Sequence, residues 1–463
     1  MHRVYNHISK VTDVFWNSKA YFPVVFLITV LFLTLKSYVE GAMALIFLSG
    51  WMLLFCSEFM AAVSPFLCIF ILSAPMYDNL NDFTRCIPIG MVYAAALVLR
   101  LLSDFKPVRV GNSAVGMALV SAAAALGGTG YVRTHHLPAA LTVYYVVGLG
   151  IGAFASYVLF RSQLAEMSKK KLIRKMSFTF LTMGLSMCVC IFLSYIWKWD
   201  AFLEDGLQYL KYRNFAAVIL VMTIPMIFFI ARHCKWTLLL TVPYTTAMVM
   251  CGSRSALLFG MIMMAMCCIY SVKYKICPAW LMCVIVALAM IVVFVFDTDW
   301  FKDFYALRIS EGLSNDENRM AMIKRAIKDF IRNPIFGVGL SNTANCDLAE
   351  GVEGSMFFYH NAFAQVVGSM GILGLAAYGK LVFDRVRFFI RYKSAFTSAT
   401  ALCYAGILMI SMTNPGIFCP FPNTFMVALA FGVLEIASED DREIIFEHGH
   451  LIRCQAGRKH MMP

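Results

Sequence analysis

The sequence predicts an all-α protein: a polytopic membrane helical bundle with about 14 transmembrane helices. Of the 463 residues, 60% are apolar and 14% are charged, whereas soluble domains average roughly 45–50% and 25%. The mean hydropathy is +0.72, and apolar runs recur almost to the C-terminus. These runs lack the polar–apolar alternation of membrane β-strands, so we expect helices.

Fourteen apolar segments are long enough to cross the hydrocarbon core, which takes about 20 helical residues. They lie near 21–36, 41–56, 59–74, 86–102, 114–127, 139–160, 177–197, 215–231, 236–251, 255–272, 279–296, 360–383, 396–413 and 422–437. No linker or internal repeat divides them, so 1–463 is predicted to be a single membrane domain. Residues 297–359 form one long loop between helices 11 and 12, and 438–463 form a tail.

The positions of the basic residues predict the orientation. The net charge is +12, but a cytoplasmic N-terminus places 25 of the 39 Lys and Arg inside and only 7 in short outer loops. Basic cytoplasmic loops are the usual topology signal, which we favour over a nucleic-acid or lipid-specific role, and we assign them no catalysis. Both termini and the tail are therefore expected in the cytoplasm, and 297–359 outside.

The sequence predicts neither a metal site nor a cofactor. The carboxylates of the outer loops are scattered, without the spacing of metal ligands. Most of the 15 cysteines lie in apolar runs and no CxxC pair occurs, so they are expected to behave as small apolar residues.

The first candidate site is a turn at Cys251–Ser255, between two apolar runs too long for one helix. Ser253 is expected to cap a helix beginning at Ser255, so that backbone N–H groups and Arg254 converge on an anion such as a phosphate. The alternative is an interfacial arginine whose side chain extends to the membrane surface.

The second candidate is the amphipathic segment 318–333, predicted to lie along the membrane or to cap the bundle. Its cations Lys324, Arg325, Lys328 and Arg332 share one face, which is expected to be solvated or to contact anionic lipid headgroups. Arg319 instead points between Ala326 and Phe330, on the apolar side. An arginine in the first helical turn opposes the helix dipole, a cost that an anionic ligand would offset.

The third candidate is Phe357-Phe358-Tyr359-His360-Asn361, directly before the twelfth apolar segment. His360 or Asn361 is expected to begin that helix. The positive end of a helix dipole disfavours imidazolium, so a neutral His360 would be a competent general base. The alternative is a histidine that anchors the membrane interface. Upstream, Gly337 and Gly339 are expected to form a tight turn.

Taken together, two arginines and a neutral histidine at helix ends on one side of a membrane suit a diphosphate leaving group and a hydroxyl that must lose a proton. The chemistry that this combination indicates is glycosyl transfer. Two cationic side chains would supply the charge stabilisation that a metal ion otherwise gives.

The same residues resemble the bacterial O-antigen ligase and polymerase superfamily. The motifs that match are Gly252-Ser253-Arg254-Ser255, Asn318-Arg319, Asn333-Pro334-Ile335-Phe336-Gly337-Val338-Gly339, His360-Asn361 and Gly368-Ser369-Met370-Gly371-Ile372-Leu373-Gly374. The resemblance covers about 212–378 and includes the order and spacing of the motifs.

This resemblance implies a C-type glycosyltransferase-like fold acting at the outer face of the bacterial cytoplasmic membrane. The donor would be a glycan on undecaprenyl diphosphate, and the acceptor a glycan, a lipid or a protein. Arg254 and Arg319 match the arginines thought to hold the diphosphate, and His360 the histidine proposed to activate the acceptor. Arg213 stands where relatives often have a Pro-Asn pair, and with Ser253 and Asn361 it completes the substrate-binding candidates.

Two other classes of function compete with this interpretation. A transporter of lipid or polysaccharide, without catalysis, should show inverted repeats and broken helices with ionisable groups near the bilayer midplane, and the sequence predicts neither. A channel or a structural scaffold would not require an arginine in one specific conformation. The sequence does not distinguish a polymerase from a ligase, although 14 spans favour the polymerase branch.

Overall fold

The computed structural model describes residues 2–76, 80–104, 106–135, 140–200, 210–276, 320–340, 359–413, 422–438, 445–447 and 450–452. The described α-helices are α1 His2–Asn17, α2 Tyr21–Thr34, α3 Tyr38–Phe55, α4 Met60–Ser73, α5 Ile87–Ser103, α6 Ala114–Ala123, α7 Tyr131–Thr134, α8 Ala140–Leu149, α9 Ile151–Leu164, α10 Lys169–Ile196, α11 Arg213–Ile230, α12 Thr241–Met250, α13 Arg254–Lys273, α14 (320–332), α15 Ala362–Arg391, α16 Ala395–Ser411 and α17 Asn423–Ala437. Shorter 3-10 segments are Ala74–Met76, Leu80–Cys86 and Lys235–Leu240, and Ala124–Gly128 is a π-helical turn. Two strands, β1 Ile445–Glu447 and β2 His450–Ile452, pair antiparallel.

The described part is a helical membrane protein, as predicted. Seven of its helices are long and apolar enough to cross a membrane, and α1 with α2, bent by 86°, would make an eighth span. Four further apolar helices are shorter. Thirteen of the fourteen predicted segments contain a described helix, and 279–296 lies outside the described residues. The count of fourteen spans stays a prediction, as does the long loop.

Hydrogen bonds between helix ends show which ends lie on the same side of the bundle. The hydroxyl of Tyr270, late in α13, donates to the carbonyl of Ala395, at the start of α16, over 3.1 Å. At the other end, Asn361 Nδ2, before α15, donates to the carbonyl of Met412, after α16, over 3.0 Å. Tyr195, late in α10, donates to the carbonyl of Met250 over 2.6 Å.

These contacts define two ends of the bundle. The Arg254 end contains the N-termini of α11, α13 and α15 and the C-termini of α10, α12 and α16. The opposite end, which contains the N-terminus of α10, is called the Lys169 end. This alternation agrees with the predicted order of spans. The assignment of the Lys169 end to the cytoplasm stays a prediction of the basic-residue pattern.

Burial places α11 at the centre of the bundle. In α11, 83% of the residues are buried, whereas in the most apolar stretch of the segment Asn81–Ser103, which includes α5, 11% are buried. A helix that is apolar on all sides can be enclosed by other helices, whereas a peripheral helix faces lipid. The Arg254 end is therefore built around a central helix that begins at Arg213.

Helix α15 is broken inside its apolar stretch, which the sequence did not predict. Gly371 has φ 61° and ψ −151°, a conformation essentially restricted to glycine. Because the helix stops here, the N–H groups of Ile372 and Leu373 need other acceptors. They donate to the carbonyls of Pro334 and Ile335, over 2.8 and 3.2 Å.

The segment 334–340 also satisfies the carbonyl groups on the other side of the break. The N–H of Val338 donates to the carbonyl of Gly368, and that of Gly339 to the carbonyl of Ser369, both over 2.9 Å. An unsatisfied backbone group at membrane depth costs several kcal/mol. The Asn-Pro-Ile-Phe-Gly-Val-Gly and Gly-Ser-Met-Gly motifs are thus complementary halves of one backbone junction.

Glycines allow this close approach. Gly337 and Gly339 have φ values of 71° and 94°, which confirms the predicted tight turn. A Cβ on Gly337 would lie 2.3 Å from the carbonyl carbon of Ser369. Leu340 then donates its N–H to the carbonyl of Gly128 over 2.8 Å, so the junction also contacts the π-helical turn that follows α6.

We predict that Gly371→Ala destabilises the protein. The added Cβ would lie 2.6 Å from the carbonyl oxygens of both Pro334 and Ile335, and the backbone conformation costs a residue with a side chain about 1–3 kcal/mol. The measurement is the thermal unfolding midpoint of the detergent-solubilised protein. Gly379→Ala is the matched control in the same helix, because a Cβ added there would have no other atom within 4 Å. Equal midpoints for the two variants would contradict the role of the junction.

Candidate functional site

The Arg254 turn has the geometry that the sequence predicts. Gly252 has φ 68°, which reverses the chain between α12 and α13. Ser253 is the N-cap of α13 and its Oγ accepts from the N–H of Ala256 over 3.4 Å. Ser253 is buried, whereas Arg254 is partly exposed. The helix begins at Arg254, one residue earlier than predicted, so the guanidinium belongs to the first turn of α13.

Arg213 lies near the Arg254 turn. It is the first residue of α11, and its positive charge is within electrostatic reach of the Cys251 thiol. The preceding residue, Tyr212, is buried and its hydroxyl lies 2.6 Å from Ser194 Oγ, late in α10. Two arginines therefore begin two packed helices at the same end of the bundle.

His360 lies directly before α15 in a strained backbone conformation. Its φ is 50°, which is uncommon for a residue other than glycine. The next residue, Asn361, is the N-cap: its Oδ1 accepts from the N–H of Ala364 over 3.0 Å, and its Nδ2 donates to the carbonyl of Met412. This confirms that α15 begins at this motif. His360 as a residue is partly exposed and directly precedes the N-cap of the helix.

Tyr359, on the N-terminal side of His360, is held by hydrogen bonds of its backbone N–H and its hydroxyl. Its N–H donates to Gln365 Oε1 over 3.0 Å, and Gln365 Nε2 donates to Ser369 Oγ over 2.9 Å. The hydroxyl of the same buried tyrosine donates to Asp329 Oδ2 of α14 over 2.7 Å. The residues on both sides of His360 are thus held by hydrogen bonds.

The expectation that Arg325 belongs to a solvated cationic face is wrong. Arg325 is 7% exposed, and its Nε lies 3.2 Å from Asp329 Oδ1. Residues four apart share a helix face, so the single carboxylate of the segment rotates this face of α14 inward, together with the buried Ala326. Lys324, Lys328 and Arg332 remain exposed, as expected.

The apolar side of α14 is partly exposed and partly packed against the bundle. Met320, Ile327 and Ile331 are 53%, 52% and 71% exposed. Exposed apolar side chains on a membrane protein suit contact with lipid, while the ion pair faces Tyr359. Ala326 and Ile323 instead pack against the bundle, in one cluster with Tyr359 and Ala364.

Five of the six predicted site residues lie at the Arg254 end. Arg213, Ser253 and Arg254 belong to one cluster, and His360 and Asn361 belong to the junction of α15 with α16. The sixth, Arg319, lies outside the described residues, as do 297–318 and 341–358. Within the described chain, no group of three or more potential metal ligands occurs.

A comparison with protein-family models gives a match, which covers most of these motifs. Residues 236–379 match the family model described as O-antigen ligase. This match confirms the resemblance to the O-antigen ligase and polymerase superfamily. It includes Arg254, Arg319, His360 and Asn361, whereas Arg213 precedes it. A comparison with curated protein sequences gives no match.

The sequence reasoning missed the residues that position His360. Tyr359, Asp329 and Gln365 form hydrogen bonds next to it. Tyr359 belongs to the predicted motif 357–361 but had no assigned role, and Asp329 and Gln365 were not candidates. One signal was available: Asp329 is the only acid in 318–333 and stands four residues after Arg325, a spacing that favours pairing. The contact with Tyr359 could not be read from spacing.

We predict that Asp329→Ala destabilises the protein by about 3–5 kcal/mol, because it leaves the buried Arg325 without its carboxylate and the Tyr359 hydroxyl without its acceptor. The measurement is the thermal unfolding midpoint in detergent. Lys328→Ala, at an exposed neighbouring position of α14, is the control and should change stability little. A midpoint for Asp329→Ala equal to that of Lys328→Ala would show that the ion pair does not anchor α14.

Proposed function

We propose that the chain is a membrane glycosyltransferase that transfers or polymerises undecaprenyl-diphosphate-linked oligosaccharide at the outer face of the bacterial cytoplasmic membrane. The observation that carries the proposal is the O-antigen ligase match together with the placement of Arg254 and His360 at the same end of the bundle. A multi-pass membrane protein of this family type implies lipid-linked glycan and an acceptor as its partners.

In the proposed donor site, the diphosphate lies at the start of α13. The guanidinium of Arg254 pairs with its oxygens, and the first N–H groups of the capped helix add positive potential. Arg319 supplies a second cation for the diphosphate. Arg213 supplies a third cation, which has a secondary role in binding. Ser253 holds the turn in place, since its hydroxyl is already used as the cap. Charge that develops on the departing diphosphate is thereby stabilised without a metal ion.

In the proposed acceptor site, His360 removes the proton of the attacking hydroxyl. The acceptor oxygen forms a bond to the anomeric carbon as the bond from that carbon to the diphosphate oxygen breaks, with inversion of configuration. The proton passes to the imidazole, and the electron pair of the broken bond leaves with the lipid diphosphate. Asn361 orients the histidine by capping α15 and by bonding to the carbonyl of Met412.

The broken helix α15 does not favour a transporter. A transporter uses a break to expose backbone groups to a substrate or an ion at the midplane. Here the 334–340 segment accepts and donates the hydrogen bonds at the break. The break therefore joins two parts of the protein, and the alternative of a transporter without catalysis gains no support from it.

Replacement of the three proposed catalytic residues tests the mechanism. Arg254→Ala, Arg319→Ala and His360→Ala should each lower transfer by about 10²–10⁴-fold while folded protein remains in the membrane. The assay uses purified protein with undecaprenyl diphosphate oligosaccharide, where a product ladder indicates a polymerase and a single transfer a ligase. Full activity of His360→Ala would remove the general base, and full activity of both arginine variants would remove the diphosphate site.

Lys324→Ala provides a matched control for Arg319→Ala. Both substitutions remove one cation from the amphipathic segment, but Lys324 is exposed in α14 and Arg319 is predicted to point between Ala326 and Phe330. Transfer should fall strongly for Arg319→Ala and by less than about threefold for Lys324→Ala, in line with the small effect of an exposed charge. Equal losses, measured as initial rates at the same protein concentration, would refute the directional argument.

A further inference from the structure

A large cavity lies at the Lys169 end, away from the proposed catalytic residues. Its volume is about 800 Å³, and it lies between the bend that joins α1 to α2 and the first half of α10. The bend turns the chain by 86° over residues 17–21. This cavity is open to the surface and plays no part in the mechanism proposed above.

The mouth of the cavity is strongly basic. Among the described residues, five cations line it, namely Lys19, Lys170, Lys171, Arg174 and Lys175, and no Asp or Glu does. Lys171 and Lys175 make polar contacts within the protein, and the guanidinium carbon of Arg174 lies 5.8 Å from the centre of the Phe178 ring. Lys171 lies 2.6 Å from Glu58 Oε1, and Lys175 donates to the carbonyl of Trp16 with its Nζ 3.6 Å from the centre of the indole ring.

The other three cations are exposed at the rim. Lys19, Lys170 and Arg174 are all exposed, and none of them forms an ion pair within the described residues. Like charges held close together repel one another, so this cluster favours an anionic ligand. The planar guanidinium of Arg174 and the ammonium groups of Lys19 and Lys170 are suited to bind a phosphate group.

The wall of the cavity changes from charged to apolar with depth. Along α10 the lining residues include Lys170, Arg174, Phe178, Leu181 and Leu185, which are spaced by three or four residues and therefore share one face. They extend over about 22 Å at 1.5 Å per residue, about three-quarters of the roughly 30 Å hydrocarbon core.

Helix α2 shows the same order of polarity. Lys19 precedes it, and Phe22 and Phe26 follow on its cavity side. The rings of Phe22 and Phe178 stack at 5.5 Å and join the two walls. A charged mouth, an aromatic belt and an aliphatic interior match a phospholipid in shape and polarity.

We propose that this cavity binds an anionic phospholipid, with its phosphate held by Lys19, Lys170 and Arg174 and an acyl chain lying against Phe22, Phe178 and Leu185. The lipid lies in the leaflet at the Lys169 end, opposite to the Arg254 end. It joins α1 and α2 to α10 and thereby anchors the amphipathic α1 at the membrane surface. A soluble phosphate compound would use the cations but leave the apolar wall uncovered.

The experiment measures lipid binding to the purified full chain in detergent by native mass spectrometry. The probes are dioleoyl phosphatidylglycerol and dioleoyl phosphatidylcholine. We expect phosphatidylglycerol to bind more tightly. The double variant Lys170→Gln/Arg174→Gln should weaken its binding by about 25-fold, since each cation near a lipid headgroup contributes about fivefold. The control Arg387→Gln/Lys393→Gln removes two exposed cations at the same end, outside the cavity, and should change binding little.

A second variant separates the apolar wall from the charges. Leu185→Trp fills the interior while every cation remains, so it should also weaken phosphatidylglycerol binding. Glycerol 3-phosphate at the same concentration should not displace the lipid. Equal binding of the two lipids, wild-type binding by both cavity variants, equal losses in the control, or displacement by glycerol 3-phosphate would each overturn the proposal.

Discussion

The backbone junction at Gly371 is the constraint on which the Arg254 end of the bundle depends. A helix cannot be interrupted inside a membrane unless other groups satisfy its free N–H and C=O groups. Here 334–340 provides both donors and acceptors. Because this segment directly follows α14, the junction fixes α14 against α15, and Asp329 of α14 reaches the Tyr359 hydroxyl. The interaction therefore extends from the interior of the bundle to the residue next to His360.

Features that depend on neighbouring residues in the chain could be predicted from the sequence. The lengths of the apolar runs predicted the positions of the helices, because a long apolar segment in lipid can satisfy its backbone hydrogen bonds by forming a helix. Local side-chain chemistry gave the caps, and Ser253 and Asn361 both accept from the N–H three residues later. The turn at Gly337 and Gly339 follows from the conformational freedom of glycine. The side of the membrane on which these features lie depends on the charge pattern alone and stays a prediction.

Features that depend on distant parts of the chain could not be predicted. The break at Gly371 is stable only because 334–340 lies against it, and hydropathy does not report such a partner. The burial of Arg325 has a similar origin: the pattern of 318–333 separates apolar from charged residues, but an ion pair with Asp329 and a tyrosine hydroxyl offset the cost of removing a charge from water. The catalytic roles of Arg254, Arg319 and His360 rest on the resemblance and on the chemistry of these groups.

The strain at His360 connects this architecture to the proposed chemistry. A residue with a side chain in a left-handed conformation costs about 1–3 kcal/mol and persists where the surrounding structure fixes it. Tyr359 and Asn361 provide that restraint, through Gln365, Asp329 and Met412. If His360 is the base of the proposed reaction, a backbone held on both sides would lower the entropy that is lost when an acceptor hydroxyl binds.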